Sequence, residues 1–411
     1  MTQAGVLSKI TVLWFGVFFT LSADDLKTQL GMLSLSPAVL LPVLCLAVFP
    51  SVRRTFLNAH LSDRNFSYTL WCTCGFLILM FIQTLLSDWL MRATAEVFKT
   101  VLFFLVTHLF FSIISKEKNL TPAIRLSLWT TVIFILYLAY LYLYQFGALF
   151  IGNDLDSVDR SGRNQLVLFL FLSVMMSAAF IVSTQDRFSK YIGYIALFLF
   201  FLIGALTGSR FGLVFPIIFL IPIVFYYIFP KILNKKFLLG ASCFIAVTIP
   251  IVLLLWFNQV INIPDGYFIS IERLAGAAQS HANSVRLSLL KTGFNCFSDN
   301  NILFGHGVKD YLTCVLDSPL RVDLILHNDH LSLLNNVGII GYFLWFFAIV
   351  SYSKVFSISR RSYIFGFGVL IYMLGLLVVD GYNSPIFAII LALSRWEWFN
   401  RREIANLKPI V

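Results

Sequence analysis

Residues 10–25 read ITVLWFGVFFTLSADD, and whether that run is removed or retained decides the fold. Placed behind Lys9, it has the outline of a secretory signal. No convincing small-x-small cleavage site follows it, and eleven further apolar runs do. It therefore reads as a retained first membrane helix. The 411-residue chain is 59% hydrophobic and only 12% charged, where a soluble domain carries about 25% charged residues. Its mean hydropathy is +0.86. Each crossing of the hydrocarbon needs about 20 apolar residues, and polar punctuation divides the chain into roughly twelve such runs. They lie near 8–23, 35–50, 67–86, 97–114, 126–147, 165–184, 190–207, 211–229, 237–256, 331–350, 363–380 and 384–397. The expected architecture is all-α and polytopic, a single transmembrane domain over 1–411 in contact with membrane lipids.

Orientation follows from Lys and Arg in short loops. With the N-terminus inside, 19 of the 30 basic residues fall on the inner face, from Lys9, Arg53 and Arg54 through to Arg401, Arg402 and Lys408. About 15 of the 20 acids fall outside. The net charge of +10 is thus explained by membrane topology, with no need for nucleic acid as a partner. Both termini are expected in the cytoplasm.

One connection is long: residues 257–330, on the outer face between the ninth and tenth spans. Long ordered loops in compact proteins are usually functional. Within it, SIERLAGAAQSHANSVRLSLLKTGFNCF (270–297) reads as helical, with Asn283 or Ser284 as cap and Val285, Leu289, Leu290 and Phe294 at helical spacing. SDNNILFGHGVKDYL (298–312) follows and is rich in turn formers around Gly305-His306-Gly307. Cys296 and Cys314 share this loop and can pair in an oxidising periplasm, provided that their Cα atoms lie close enough. Cys45, Cys72, Cys74 and Cys243 fall in or beside spans and read as packing residues. No internal repeat, P-loop or dinucleotide fingerprint is present in the sequence, and no cofactor is expected.

The candidate chemistry gathers at the outer ends of spans. Arg210, in TGSRFGLVFPII (207–218), opens a helix whose free N–H groups face the same spot as its guanidinium, which suits a phosphate; its plain reading is an interfacial arginine reaching headgroups. Arg286 sits on the loop helix and either binds an anion or pairs with an acid such as Glu272 or Asp310. In ILHNDHLSLLNNVGIIG (325–341), His327 and His330 fall three apart where an apolar run begins. Three readings stand: a metal site, a structural pair bonded to loop backbone, or a general base with an unperturbed pKa near ~6.5. Asp380, in LVVDGYNSP (377–385), is a carboxylate at a membrane mouth. His108, mid-span, reads as a packing residue.

His327-Asn328, nine residues, Gly338, two residues and Gly341 resemble the H-[NSQ]-x9-G-x-x-[GTY] signature of bacterial O-antigen ligases, whose superfamily includes the O-antigen polymerases. The stretches around Arg210, Arg286 and Asp380 look like the same family, and the likeness spans roughly 200–385. It implies a GT-C glycosyltransferase that takes a glycan from undecaprenyl pyrophosphate on the periplasmic face of the inner membrane, inverting and metal-independent. It also implies that Arg210 and Arg286 grip the pyrophosphate and that His327 activates the acceptor hydroxyl. Asp380, His330 and Asn328 would be supporting residues. A ligase would deliver the glycan to lipid A core oligosaccharide, and a polymerase to another lipid-linked repeat. The rival from another class is a non-catalytic lipid or polysaccharide transporter, which calls for charge at the bilayer midplane. Here the charge lies at the outer mouth.

Overall fold

In lipid, a backbone N–H or C=O has no water to bond, so a spanning run satisfies its backbone groups within itself as a helix. The computed structural model describes residues 28–30, 33–35, 50, 66–115, 120–146, 160–183, 187–206, 210–223, 281–298, 301–317, 328–354, 364–377 and 382–407. A short antiparallel ribbon comes first, β1 (Thr28–Leu30) against β2 (Leu33–Leu35), with Thr28 opposite Leu35. The rest is helical: α1 (Phe66–Leu85), α2 (Leu90–Ile114), α3 (Thr121–Phe146), α4 (Arg160–Ser183), α5 (Arg187–Leu206), α6 (Arg210–Ile223), α7 (His281–Ser298), α8 (Tyr311–Asp317), α9 (Asp329–Ser353), α10 (Ile364–Gly375) and α11 (Pro385–Leu407). Helices coincide with every expected span except those near 8–23, 35–50 and 237–256, which lie outside the described residues apart from positions 35 and 50. Among the described residues, α1 (from Ser67), α2 and α9 are long and apolar enough to cross a membrane, and Val167–Ser183 and α10 are shorter apolar helices.

The chain forms two compact units, residues 1–131 with 281–411, and residues 132–280. In the first, α9 packs along α1 and α2 along α11, with α10 against α11. Small residues set the α1–α9 approach. A Cβ on Gly75 would meet Leu344 at 3.4 Å, and one on Gly341 would meet Leu79 at 3.0 Å, so the glycines let the two backbones close up as membrane helices do. Phe76, Phe110, Trp345 and Phe387 are fully buried inside, and Tyr372 stacks on Phe387 with centroids 4.4 Å apart. His108 packs edge-on against Tyr352 at 4.8 Å. Outward, α1 presents Trp71, Ile78 and Phe81, an apolar face suited to lipid.

One end of this unit holds buried charge. Arg395, 1% exposed, donates Nη1 to the Tyr352 carbonyl at 3.0 Å and lies 4.7 Å from the Tyr352 ring centroid. Glu397 accepts the N–H groups of Ile364 and Phe365 at 3.0 and 2.9 Å, an anionic cap on the N-terminus of α10. The second unit packs α4, α5 and α6 together, with Phe171 edge-on to Phe219 at 5.6 Å. Gly193 of α5 allows close contact with α4, where a Cβ would fall 2.7 Å from Ile181.

Two sequence expectations shift. The fourth span, expected from residue 97, starts at Leu90, so Glu96 lies within α2 along with Lys99. The helix continues outward through the charged Glu96 and Arg92. The loop helix α7 starts at His281, so Asn283 and Ser284 sit in its first turn and do not cap it. Leu289 of the expected apolar set is buried, but Phe294 is exposed, because α7 turns Leu289, Gly293 and Cys296 inward.

Candidate active site

The site is assembled on the first turns of α9. Asn328 is its N-cap, extended at φ −146° and ψ 101°, and its side chain accepts from Leu331 N at 3.0 Å. Asn and Ser are strong N-caps, which gives a physical reason for a capping residue to follow His327 in the signature. Asp329 comes next, 4% exposed. Its backbone N–H donates to the Leu376 carbonyl at 2.9 Å, and its Oδ2 accepts from Tyr382 N at 2.7 Å.

His330 is held on both sides of its ring. One nitrogen, Nε2, meets the Met373 carbonyl at 2.8 Å, an arrangement in which it must donate. That leaves Nδ1 to accept from the Tyr342 hydroxyl at 2.9 Å. A metal at His330 would have to displace one of these partners.

Ten residues into α9 the helix breaks at Gly338, φ 65° and ψ −171°, a backbone region open essentially to glycine. The outer loop fills the break. Ile339 N and Ile340 N donate to the carbonyls of Ile302 and Leu303 at 2.9 and 3.1 Å, and His306 N donates to the Asn335 carbonyl at 2.8 Å. Gly305, at φ 79°, meets the break so closely that a Cβ there would lie 2.6 Å from Gly338 N. The two glycines, one from GHG and one from the signature, therefore form a backbone interlock.

The same loop is fastened elsewhere. A disulfide joins Cys296 of α7 to Cys314 of α8, with Cα atoms 6.1 Å apart. His306 Nε2 bonds the Cys296 carbonyl at 2.9 Å. Leu289, Tyr311, Leu312, Val315 and Leu331 form a small core with Trp89 against it. Asp310 accepts from Ser87 Oγ at 2.7 Å and Asp88 N at 3.1 Å, gripping the α1–α2 turn. Burial, then the charge of Asp88, raise the Asp310 pKa.

Lys309 has a left-handed backbone, φ 71°, and its N–H donates to Asn336 Oδ1 at 2.9 Å. Its ammonium lies 3.4 Å from Glu96 Oε2, the two side chains being 19% and 12% exposed. Burial works to discharge Lys309, but the Glu96 carboxylate outweighs it and the pKa rises. Glu96 Oε1 also accepts from the Tyr382 hydroxyl at 2.6 Å and Asn383 Nδ2 at 3.0 Å. Burial, followed by that carboxylate, keeps the Tyr382 hydroxyl protonated. A charged network thus runs from α2 through the outer loop to the α10–α11 connection and α9.

Of the expected site residues, Asn328 and His330 are placed in full. Arg286 lies in the second turn of α7, and Arg210 is the first residue of α6 in the other unit. His327 and Asp380 lie outside the described residues, two positions from Asp329 and from Tyr382 respectively. Sequence reasoning missed Glu96, Lys309, Asp329 and Tyr382. The available signal was Glu96 itself, an acid at the edge of a span.

Residues 195–346 match the family model described as O-antigen ligase. The match supports membership of the O-antigen ligase/polymerase superfamily. The matched segment contains Arg210, Arg286, His327 and the interlocked glycines 305 and 338, and stops before Asp380. No curated protein matches the chain. Superfamily members are membrane glycosyltransferase-like enzymes acting on polyprenyl-linked glycans, and the apolar helices here accord with a membrane protein.

Proposed function

We propose that this protein is an O-antigen ligase of GT-C type, with about twelve membrane helices and both termini in the cytoplasm. It transfers a glycan from undecaprenyl pyrophosphate to lipid A core oligosaccharide on the periplasmic face of the inner membrane. The observation that carries the reading is the O-antigen ligase match over 195–346, which takes in the arginines and the His327-Asn328 signature. The Cys296–Cys314 disulfide supports an oxidising location for the outer loop.

In this mechanism His327 takes the proton from a core-sugar hydroxyl as its oxygen attacks the anomeric carbon from the face opposite the leaving group. The bond from that carbon to the phosphate oxygen breaks, the configuration inverts, and undecaprenyl pyrophosphate departs with the electron pair. Charge grows on the pyrophosphate as the bond breaks, so Arg210 and Arg286 stabilise the transition state more than the ground state. Arginine suits this because it stays ionised and offers a planar fork. Asp380 supports the histidine, and Asn328 caps the helix behind it.

The test uses purified protein reconstituted with undecaprenyl pyrophosphate-linked glycan and EDTA, with and without lipid A core. Glycan on the core, undiminished by EDTA, is the expected result. Longer lipid-linked glycan without core would make the protein a polymerase, and loss in EDTA would overturn the metal-independent mechanism. His327→Ala is expected to abolish transfer while donor binding persists, whereas Arg210→Ala or Arg286→Ala weakens both.

A further inference from the structure

The turn that fills the α9 break hides its backbone and shows its side chains. Three successive carbonyls are taken by protein donors. Ile302 and Leu303 accept from Ile339 N and Ile340 N at 2.9 and 3.1 Å, and Phe304 accepts from Gln83 Nε2 at 2.9 Å. Gly305 N donates to the Asn301 carbonyl at 2.7 Å, and Phe304 N to Asn301 Oδ1 at 3.3 Å. The side chains on the same three residues stand open, Ile302 40%, Leu303 54% and Phe304 43% exposed. A turn in water has its carbonyls solvated and is usually built of polar residues. A turn in lipid needs both an apolar surface and a satisfied backbone, since irregular backbone survives at membrane depth only where the protein itself bonds it.

The level of the turn in the bundle agrees. α9 ends at Ser353, beside the stacked pair Lys354 and Trp398, 5.5 Å apart, which suits a membrane boundary. Ile339, bonded to the turn, lies about 14 residues before Ser353, or roughly 21 Å along the axis. The hydrocarbon core is about 30 Å thick, so lipid still flanks α9 at Ile339, and tilt only carries that residue further inside the core. On α1, the donor Gln83 falls within the apolar stretch Ser67–Leu85. Exposed apolar residues continue past it through Leu85 and Leu86 to Leu90 and Met91. Trp89 and Arg92, stacked at 4.5 Å, stand at that edge as interfacial anchors do. The lipid-facing surface of α1 therefore runs on beyond the level of the turn.

We propose that residues 301–305 form a re-entrant turn of the membrane face, with Ile302, Leu303 and Phe304 seated among the acyl chains of the lipid leaflet on that side. The outer loop is thereby pinned to the bilayer as well as to α9. This inference needs only a membrane-embedded chain and is independent of the transfer chemistry above.

The test has two arms. In the first, the native full chain is reconstituted in phosphatidylethanolamine and phosphatidylglycerol vesicles containing a phospholipid with a photoactivatable diazirine on its acyl chain. After irradiation, the adducts are mapped by peptide mass spectrometry. Adducts are expected on Ile302, Leu303 and Phe304 as well as on Ile78 and Phe81 of α1, whose exposed side chains serve as the lipid-facing reference. The exposed Lys291 of α7 is expected to stay bare. Labelled α1 with an unlabelled turn would overturn the proposal. The second arm reads the surroundings of the turn with a fluorophore. With Cys45, Cys72, Cys74 and Cys243 replaced by alanine, bimane is attached through Leu303→Cys in the same vesicles. Its emission is expected to be lost to lipids brominated on their acyl chains and kept in aqueous iodide. Quenching by iodide alone would make the turn a water-facing loop. Quenching by neither would mean that another part of the chain, or a second copy, covers it. Either result overturns the proposal. If Leu303→Cys fails to fold, as a missing melting transition would show, the adduct map on the native chain decides alone.

Discussion

Lys309 shows how a single side chain is committed to one role. A non-glycine residue at φ 71° costs about 1 kcal/mol or more in backbone strain, and here the strained residue sends its ammonium to Glu96. Because the pair is mostly buried, removing one partner leaves an uncompensated charge, a loss on the order of 3–5 kcal/mol. Lys309→Met should fall at the low end, about 3 kcal/mol, because Tyr382 and Asn383 still donate to Glu96. Adding Glu96→Gln should restore most of it, as chemical denaturation in detergent would show; a double variant no better than the single would mean the pair is not coupled. The pH dependence has a definite sign. The folded pKa of Lys309 is raised above 10.5, so its stabilisation is fully present below that value and is lost only as pH rises through the folded pKa. The gap between native and Lys309→Met should therefore stay flat from about pH 6 to 9. Asp310 runs the other way. Its folded pKa is raised above 3.8, so its ionisation weakens the fold as pH rises past that point. Asp310→Asn, which keeps an acceptor for Ser87, should be no less stable than native at pH 7, with any advantage gone below about pH 4.

At the scale of elements, the signature's two glycines have different duties. Gly338 takes a conformation reserved for glycine, and a Cβ there would land on the Leu303 carbonyl, which is backbone that cannot step aside. At Gly341 a Cβ would fall 2.5 Å from Val337 Cβ and Cγ2 and 3.0 Å from Leu79 Cδ2, so it too forces a shift, but no backbone atom and no positive φ stand in the way. Gly338→Ala should thus lose several kcal/mol by the combined strain and clash, and Gly341→Ala less. Comparing their melting temperatures checks this, and equal values would refute the interlock. The disulfide adds a second fastening. It closes a loop of 18 residues, worth about 3 kcal/mol, so Cys296→Ser with Cys314→Ser should expose 281–317 to protease before the membrane helices open. These elements were legible in unequal degree. The loop helix follows from residue type and spacing, though its start does not, since Asn283 and Ser284 lie inside it. The interlock does not, because it pairs Gly305 with Gly338 by backbone geometry that no local pattern encodes. Lys309 and Glu96 escaped for the same reason: each reads locally as a solvated charge, and only the fold brings them together.

For the molecule as a whole, apolar run length was enough to locate the helices of the expected spans among the described residues, since a spanning segment has no alternative to internal hydrogen bonding. Run length was a poor guide to where they end, as α2 shows by starting at Leu90 and carrying Glu96 within its helix. Charge bias predicts an orientation, and the first unit has two distinct ends to which it can apply. Within the first unit, the α1–α2 turn, the outer loop and the starts of α9 and α11 meet through Glu96, Lys309 and Tyr382. The end of α9, the start of α10 and the middle of α11 meet through Arg395, Glu397 and Tyr352. Such grouping is what alternate crossings require, and it puts Cys296–Cys314 on the face opposite Arg395. If the arginine-rich face is cytoplasmic, the disulfide is periplasmic and must form in living cells. Alkylating free thiols in intact cells under denaturing acid, then reducing and alkylating with a second reagent, should place the second label on Cys296 and Cys314 alone among the six cysteines. A fluorescent protein fused after Val411 should be bright, because it folds on the cytoplasmic side. Reduced Cys296 and Cys314 together with a dark fusion would invert the topology and, with it, remove His327 from the periplasmic face on which the proposed transfer depends.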